Sequence, residues 1–294
     1  MDRNPSRRTA MRWRSAVILA CLLPLGACQS RPGAPVPHSA ATHESLNASL
    51  WMQSSAEYVA SAEQAYHLAT VQLDEALKPE NAAWTADPEQ VENYTHLPPA
   101  VVLDVDDAVL ATSAFQARIV KELGHFQPEP WDAWAQRAEA PPIPGALEFT
   151  RHAEARGVRV FYLTNREHAV EDATRKNLEQ LGFQVDPDGS NLLTKGEDPD
   201  WDSEKVERRA VIASKHRVLL MVGDDMNDFV AGGRTSPQGR VDLANRYRAY
   251  WGTKWILLPN PVYGDWERSH YGFEEGLSAN EKRRRKLDAL DSGK

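Results

Sequence analysis

The feature that most restricts the fold is a recurring one: an apolar run that stops at a cluster of polar residues. Val101, Val102 and Leu103 run into Asp104, Val105, Asp106 and Asp107. Further on, "VRVFYLT" ends in Thr164, followed by Asn165 and Arg166, and "RVLLMVG" is followed by Asp224, Asp225 and Asp228. "KWILLP" is a fourth apolar run. Strands that are apolar throughout are buried on both faces, as in parallel sheets covered by helices. The intervening segments read as those helices. "PGALEFTRHAEARG" has Pro144 in its first turn and Gly157 past its end, "EHAVEDATRKNLEQLG" closes at Gly182, and "SEKVERRAVIAS" follows. The alternation predicts an α/β fold, a parallel sheet with helices on both faces. Ligands of such sheets lie at the carboxyl ends of the strands. The three polar clusters are therefore predicted to meet along one edge.

Upstream, Leu46, Leu50, Trp51, Tyr58, Val59, Tyr66 and Leu73 follow a rough helical period between Glu44 and Leu77. Pro79, Pro88, Pro98 and Pro99 then mark loops. The amino end is different. Five arginines precede a short apolar run, Ser15 to Leu25, too short to span a bilayer comfortably. It leads into "LGAC", which resembles the bacterial lipobox, with Cys28 as the lipidated residue. The predicted division is a lipoprotein signal peptide at 1–27, a flexible tether at 28–43, a helical region at 44–97, a core at 98–270 with a cap insertion at about 108–143, and a charged tail at 271–294. This places the protein at the cell envelope on a lipid anchor. Gln29, which follows the cysteine in place of a retention aspartate, favours the outer membrane. Removing residues 1–27 takes away five arginines and one aspartate, a net +4, so a chain of net charge −8 becomes one of −12. That argues against a nucleic-acid partner. The only cysteines are Cys21 and Cys28, so the remainder has no internal disulfide.

Carboxylates that converge without cysteine or histidine suit a hard cation, most naturally Mg²⁺. Without one, such a crowd raises the pKa of its members. A carboxylate can also serve as a nucleophile, and a second, two residues on, can give a proton to a leaving oxygen and later activate water. Thr164 offers a hydroxyl and backbone donors to phosphate oxygens, and a lysine would neutralise the transition state. Each piece alone is a weak signal. Their order, strand-DxD, strand-T, helix-K and strand-GDxxxD, resembles the four motifs of the haloacid dehalogenase (HAD) superfamily.

Within it, "PGALEFTRHAEARGVRVFYLTNR", "SEKVER", "VGDDMNDF" and "LLPNPVYGDWE" closely resemble segments of the class C bacterial acid phosphatases, envelope lipoproteins that act as 5′-nucleotidases. The resemblance covers about residues 44–270. It implies a HAD-like Rossmannoid sheet with a small, mainly helical cap, and a Mg²⁺-dependent phosphomonoesterase working through an aspartyl-phosphate. It implies Asp104 as nucleophile and Asp106 as general acid/base. Thr164, Asn165, Lys205 and Tyr263 would bind phosphate or substrate. Asp104, the backbone carbonyl of Asp106, and Asp224 would hold the metal, with Asp228 and Arg208 behind them. Lys195 in "LLTKGE" rivals Lys205 as the phosphate lysine. The substrate would be a small phosphomonoester such as a nucleoside or nicotinamide mononucleotide. The oligomeric state stays open, a homodimer included.

One departure stands out. The family's D-x-D-E-T is here D-V-D-D-A, so Asp107 shortens a glutamate and Ala108 loses a hydroxyl that helps fix the loop. This leaves a second reading open, a weakly active or inactive lipoprotein that binds nucleotide or acts structurally. Trp131, Trp134, Tyr263 and Trp266 could stack on a base or pack the cap and core. His125, His152, His168 and His216 show no metal-like partners in the sequence.

Overall fold

A computed structural model describes residues 42–293, so the expected signal peptide, Cys28 and most of the tether lie outside the described residues. The strands are β1 (Pro99–Leu103), β2 (Arg159–Glu167), β3 (Leu192–Lys195), β4 (Arg217–Gly223) and β5 (Trp255–Leu257). The helices are α1 (Leu46–Ser54), α2 (Ala56–Ala76), α3 (Ser113–Lys121), α4 (Pro128–Ala135), α5 (Ala146–Ala155), α6 (Glu171–Leu181), α7 (Val206–Ala213), α8 (Pro237–Arg246), α9 (Asp265–Arg268) and α10 (Ala279–Asp288).

The strands form one parallel sheet in the order β3-β2-β1-β4-β5. Side chains alternate between its faces. Val101 and Leu103 join a core with Tyr66 and Leu73 of α2, Phe149 of α5 and Leu178 of α6. Ala100 and Val102 join a second core with Ile212 of α7, Phe229 and Trp255. The chain leaves β1 towards β2 and β3, then returns to place β4 on the other side of β1. This reversal opens the crevice in which α/β sheets bind ligands. Asp104 and Asp224 directly follow the two strands that flank it.

Local structure departs from the sequence reading at five places. The expected helical stretch from Glu44 to Leu77 breaks at Ser55, whose side chain accepts the Tyr58 N–H (3.0 Å) and caps α2. Two helices with different faces follow, so Tyr58, Tyr66 and Leu73 are buried while Leu46, Leu50 and Val59 are exposed. β2 continues past Thr164 to Glu167. Lys205 caps α7 rather than lying within it. β3, which carries Lys195 and is not among the expected strands, is a short edge strand.

Pro144 lies ahead of α5 rather than in its first turn, because Gly145 is the N-cap, with φ 84°. A Cβ at Gly145 would fall 2.8 Å from the Tyr66 Cβ. Tyr66 in turn donates its hydroxyl to the Ala108 carbonyl (2.5 Å), in the loop after β1. Gly145→Ala would combine left-handed strain with a clash, costing about 1–3 kcal/mol. Thermal unfolding is expected to show Tm falling on the order of 5 °C; an unchanged Tm would contradict this packing.

Candidate active site

Asp104 stays in register with the sheet, its N–H donating to the Val222 carbonyl (2.9 Å). Lys205, only 3% exposed, donates to Asp104 Oδ1 and to Asp228 Oδ1, the latter at 2.7 Å. The other oxygen of Asp228 accepts the N–H groups of Asp224 and Asp225, both at 3.0 Å. Asp228 therefore shapes the loop after β4 and holds the lysine together. Gly223 makes this possible, since a Cβ there would lie 2.3 Å from Asp228 Oδ2. Asp224 Oδ2 accepts from Asn260 Nδ2 (2.7 Å). Carboxylate oxygens of Asp104, Asp224 and Asp228 lie within 4.8 Å of one another.

Burial pushes Asp104 up to about 7; Lys205 opposes this, while Asp228 and Asp106 add to it. Asp224 is held well above the ordinary range by burial, then by Asp228 and Asp104. Burial alone would lower the Lys205 pKa, but Asp104 and Asp228 more than offset it and raise it. One ammonium thus faces three carboxylates, a deficit a divalent cation would meet. The Tyr58 hydroxyl adds to the fit. It is buried without a partner among the described residues, and the fields of Asp107 and Asp224, after burial, raise its pKa. An all-oxygen donor set with a spare hydroxyl nearby suits a hard ion that carries water.

Asp106 lies beside this cluster, its carboxylate gripped by Arg166. The Nε donates to both oxygens (3.1 Å each) and Nη2 to Oδ1 (2.8 Å). Thr164 is fully buried, and its Oγ1 accepts the Arg166 N–H (3.1 Å). Arg208, also fully buried, donates to the Thr164 carbonyl and to Asn165 Oδ1 (2.7 Å). It fixes the carboxyl-terminal part of β2. Lys195 pairs with Glu167 (2.7 Å), away from Asp104.

Asp107 adopts a left-handed φ of 59°. Its buried carboxylate accepts the Thr112 N–H (2.9 Å), the Thr112 hydroxyl (2.5 Å) and the Tyr263 hydroxyl (2.7 Å). Burial pushes Asp107 up to about 6, against these hydrogen bonds. The loop expected to suffer from the D-D-A departure is therefore tied at Asp107 and, through Tyr66, at Ala108. Tyr263 reaches the site by its hydroxyl and belongs to this clasp. Trp131 and Trp134 pack on each other (5.1 Å between centroids), on Phe115 and on Arg166. Trp266 donates to the Asn260 and Tyr263 carbonyls. His168 differs from its sequence reading, since its ring lies with Glu171 and Glu197 in a group of metal-capable side chains.

Sequence reasoning missed Tyr58, Asn260 and the role of Arg166. The last two sat inside quoted motifs; Tyr58 carried no signal beyond helical periodicity. Asp225 belongs elsewhere than its neighbours, bound by Arg240, Asn227 and the Asp265 N–H.

A parallel Rossmann-like sheet with a carboxylate–lysine cluster at its reversal point defines the HAD class of fold. The chain belongs to the HAD superfamily, subfamily IIIB (acid phosphatase), whose family model it matches over residues 33–266. It is similar to the class C acid phosphatase of Bacillus anthracis, at 34% identity and TM-score 0.75, covering 86% of this chain and 99% of that one. The tungstate-bound form of that enzyme matches at TM-score 0.74 with the same identity and coverage. It is also 20% identical over 167 residues to a stem 28 kDa glycoprotein of Glycine max, 55% of this chain. The match spans 58% of that curated relative's length.

The raised Asp104 pKa has a thermodynamic consequence. The folded chain keeps a proton that the unfolded chain releases near 3.8, so this stabilisation is complete below that value and is lost as pH rises to about 7. Metal-free protein is expected to lose Tm across that window, and a divalent cation to restore more Tm at about pH 7.5 than at about pH 5. Calorimetry with and without chelator checks this; a pH-independent metal effect would contradict it.

Proposed function

We propose that the protein is a Mg²⁺-dependent acid phosphatase of the 5′-nucleotidase type, working through an aspartyl-phosphate at the cell envelope. The observation that carries this reading is Asp104, held at the end of β1 by Lys205 and Asp228, with Asp106 two residues on. Lys205 engages Asp104 Oδ1 and leaves Oδ2 to attack phosphorus. As the Asp104–phosphorus bond forms and the ester P–O bond breaks, Asp106 gives its proton to the leaving oxygen. It then takes a proton from the water that displaces phosphate from Asp104. Thr164 and Asn165 supply donors to the transferring oxygens, and Lys205 offsets their charge. Asp104, the Asp106 carbonyl and Asp224 would hold Mg²⁺, which supplies charge neutralisation. The tungstate complex of the Bacillus anthracis relative, a tetrahedral oxyanion on a similar fold, supports an oxyanion site here.

The intact clasp around Asp107 favours an active enzyme over a purely binding or structural lipoprotein. Nucleoside and nicotinamide mononucleotides are the proposed substrates. The lipobox pattern supports a lipid anchor on Cys28 and an outer-membrane location.

Phosphate release from 4-nitrophenyl phosphate and nucleoside monophosphates is expected to vanish in chelator and return with Mg²⁺; full activity after confirmed metal removal would contradict the site. Asp106→Asn is expected to lose more on a nucleoside monophosphate than on 4-nitrophenyl phosphate, whose leaving group needs little protonation. General acid catalysis is worth ~10²–10⁴-fold, so the gap is measurable; equal losses would count against the acid role. Cys28→Ser is expected to leave soluble or unprocessed protein on fractionation, and a processed species still in the membrane would refute the anchor.

A further inference from the structure

We propose that Arg166 is the positioning residue of Asp106: its guanidinium, clamped beneath the Trp131–Trp134 pair, fixes where the proton-transfer carboxylate points. This rests on the proton-transfer role of Asp106 given above. The geometry is specific. Nε and Nη2 grip the carboxylate, while Nη1 donates to Thr174 Oγ1 (3.2 Å). Thr174 is itself fixed, donating to the Val170 carbonyl (2.9 Å) at the start of α6. The guanidinium carbon lies 5.6 Å from the Trp131 ring centroid and 5.8 Å from that of Trp134. Both rings come from α4, in the insertion between β1 and β2.

The Arg166 side chain has no exposed surface, whereas that of Asp106 retains 17%. The donors of Arg166 are turned to Asp106 and Thr174, whereas the Asp106 carboxylate keeps a solvent-facing edge. A forked donor fixes the plane of a carboxylate as well as its position, which an ammonium does not do. The aromatic faces and Thr174 remove the remaining freedom of the guanidinium. The insertion thus acts on proton transfer through Arg166. Proton transfer is sensitive to sub-ångström placement. Loss of the fork should therefore weaken the step Asp106 performs and leave substrate binding unchanged.

The test is the leaving-group dependence of Arg166→Lys, which keeps the charge and loses the fork. Its kcat is expected to fall at least ~10-fold further for a nucleoside monophosphate than for 4-nitrophenyl phosphate, with KM within about twofold. Adding Asp106→Asn should widen that gap no further than Asp106→Asn alone, because both act on one step. Methylguanidinium should restore nucleotide turnover to Arg166→Ala. Equal losses on both substrates in a variant with native circular dichroism would overturn the assignment. If neither Arg166 variant folds, Trp131→Leu leaves the ion pair and should show the same signature at smaller size; its absence there would be equally decisive. Should Asp106→Asn itself lack the signature, the proton-transfer role fails and takes this assignment with it. If Asp106→Asn shows it and Arg166→Lys does not, only the Arg166 assignment falls.

Discussion

The rest of the site depends on one buried ammonium. Lys205 is almost without solvent and lies between Asp104 and Asp228, whose field keeps it charged. Removing one partner from such a buried ion pair typically costs about 3–5 kcal/mol, because the others are left uncompensated. Here the pair also sets geometry. Asp228 is bound on one oxygen by the lysine and on the other by two backbone N–H groups, so the loop after β4 and the residue capping α7 are fixed together. Asp104 is thereby aimed, and Asp224 is brought close to it. The lysine answers only part of the negative charge, and the remainder would suit a divalent cation.

The sheet supplies the meeting point, but segments outside it complete the site. Tyr58 and Tyr66 come from α2, before the first strand. Asn260 and Tyr263 come from the segment after the last. Tyr66 and Tyr263 both hold the loop carrying Asp106 and Asp107, at Ala108 and at Asp107. Asp107 sits in a left-handed conformation that aspartate tolerates better than most residues, and three hydrogen bonds offset the strain. A shorter acid in place of glutamate and an alanine in place of threonine are thus accommodated by neighbours contributed from both ends of the domain.

Much of this was legible in the sequence, for physical reasons that also mark where legibility ends. β1, β2 and β4 are buried on both faces, so each shows as an unbroken apolar run ending in polar residues. β3 lies at the sheet edge with four residues, too few for that signal. The break at Ser55 hid within a nearly continuous helical period because two helices of different phase adjoin there. Motif order singles out Asp104, Lys205, Asp224 and Asp228, and the structure brings these side chains together. Arg166 was counted at the edge without a role, since its significance lies in contacts with Asp106, Trp131 and Trp134 that no local spacing encodes. Tyr58 was missed for the same reason, its hydroxyl being defined by what surrounds it in space. Trp131 and Trp134 pack on Phe115 and on the Arg166 guanidinium, contacts that likewise leave no local spacing signal.

The most direct measurement is identification of the covalent intermediate. Mixing the Mg²⁺-loaded protein with substrate, quenching in acid and mapping peptides by mass spectrometry should find one phosphoryl group on Asp104. Asp104→Asn should carry none, and Asp106→Asn should accumulate it from 4-nitrophenyl phosphate, whose leaving group departs without the acid while water is no longer activated. A phosphoryl group on any other residue, or one trapped on Asp104→Asn protein, would contradict Asp104 as the nucleophile.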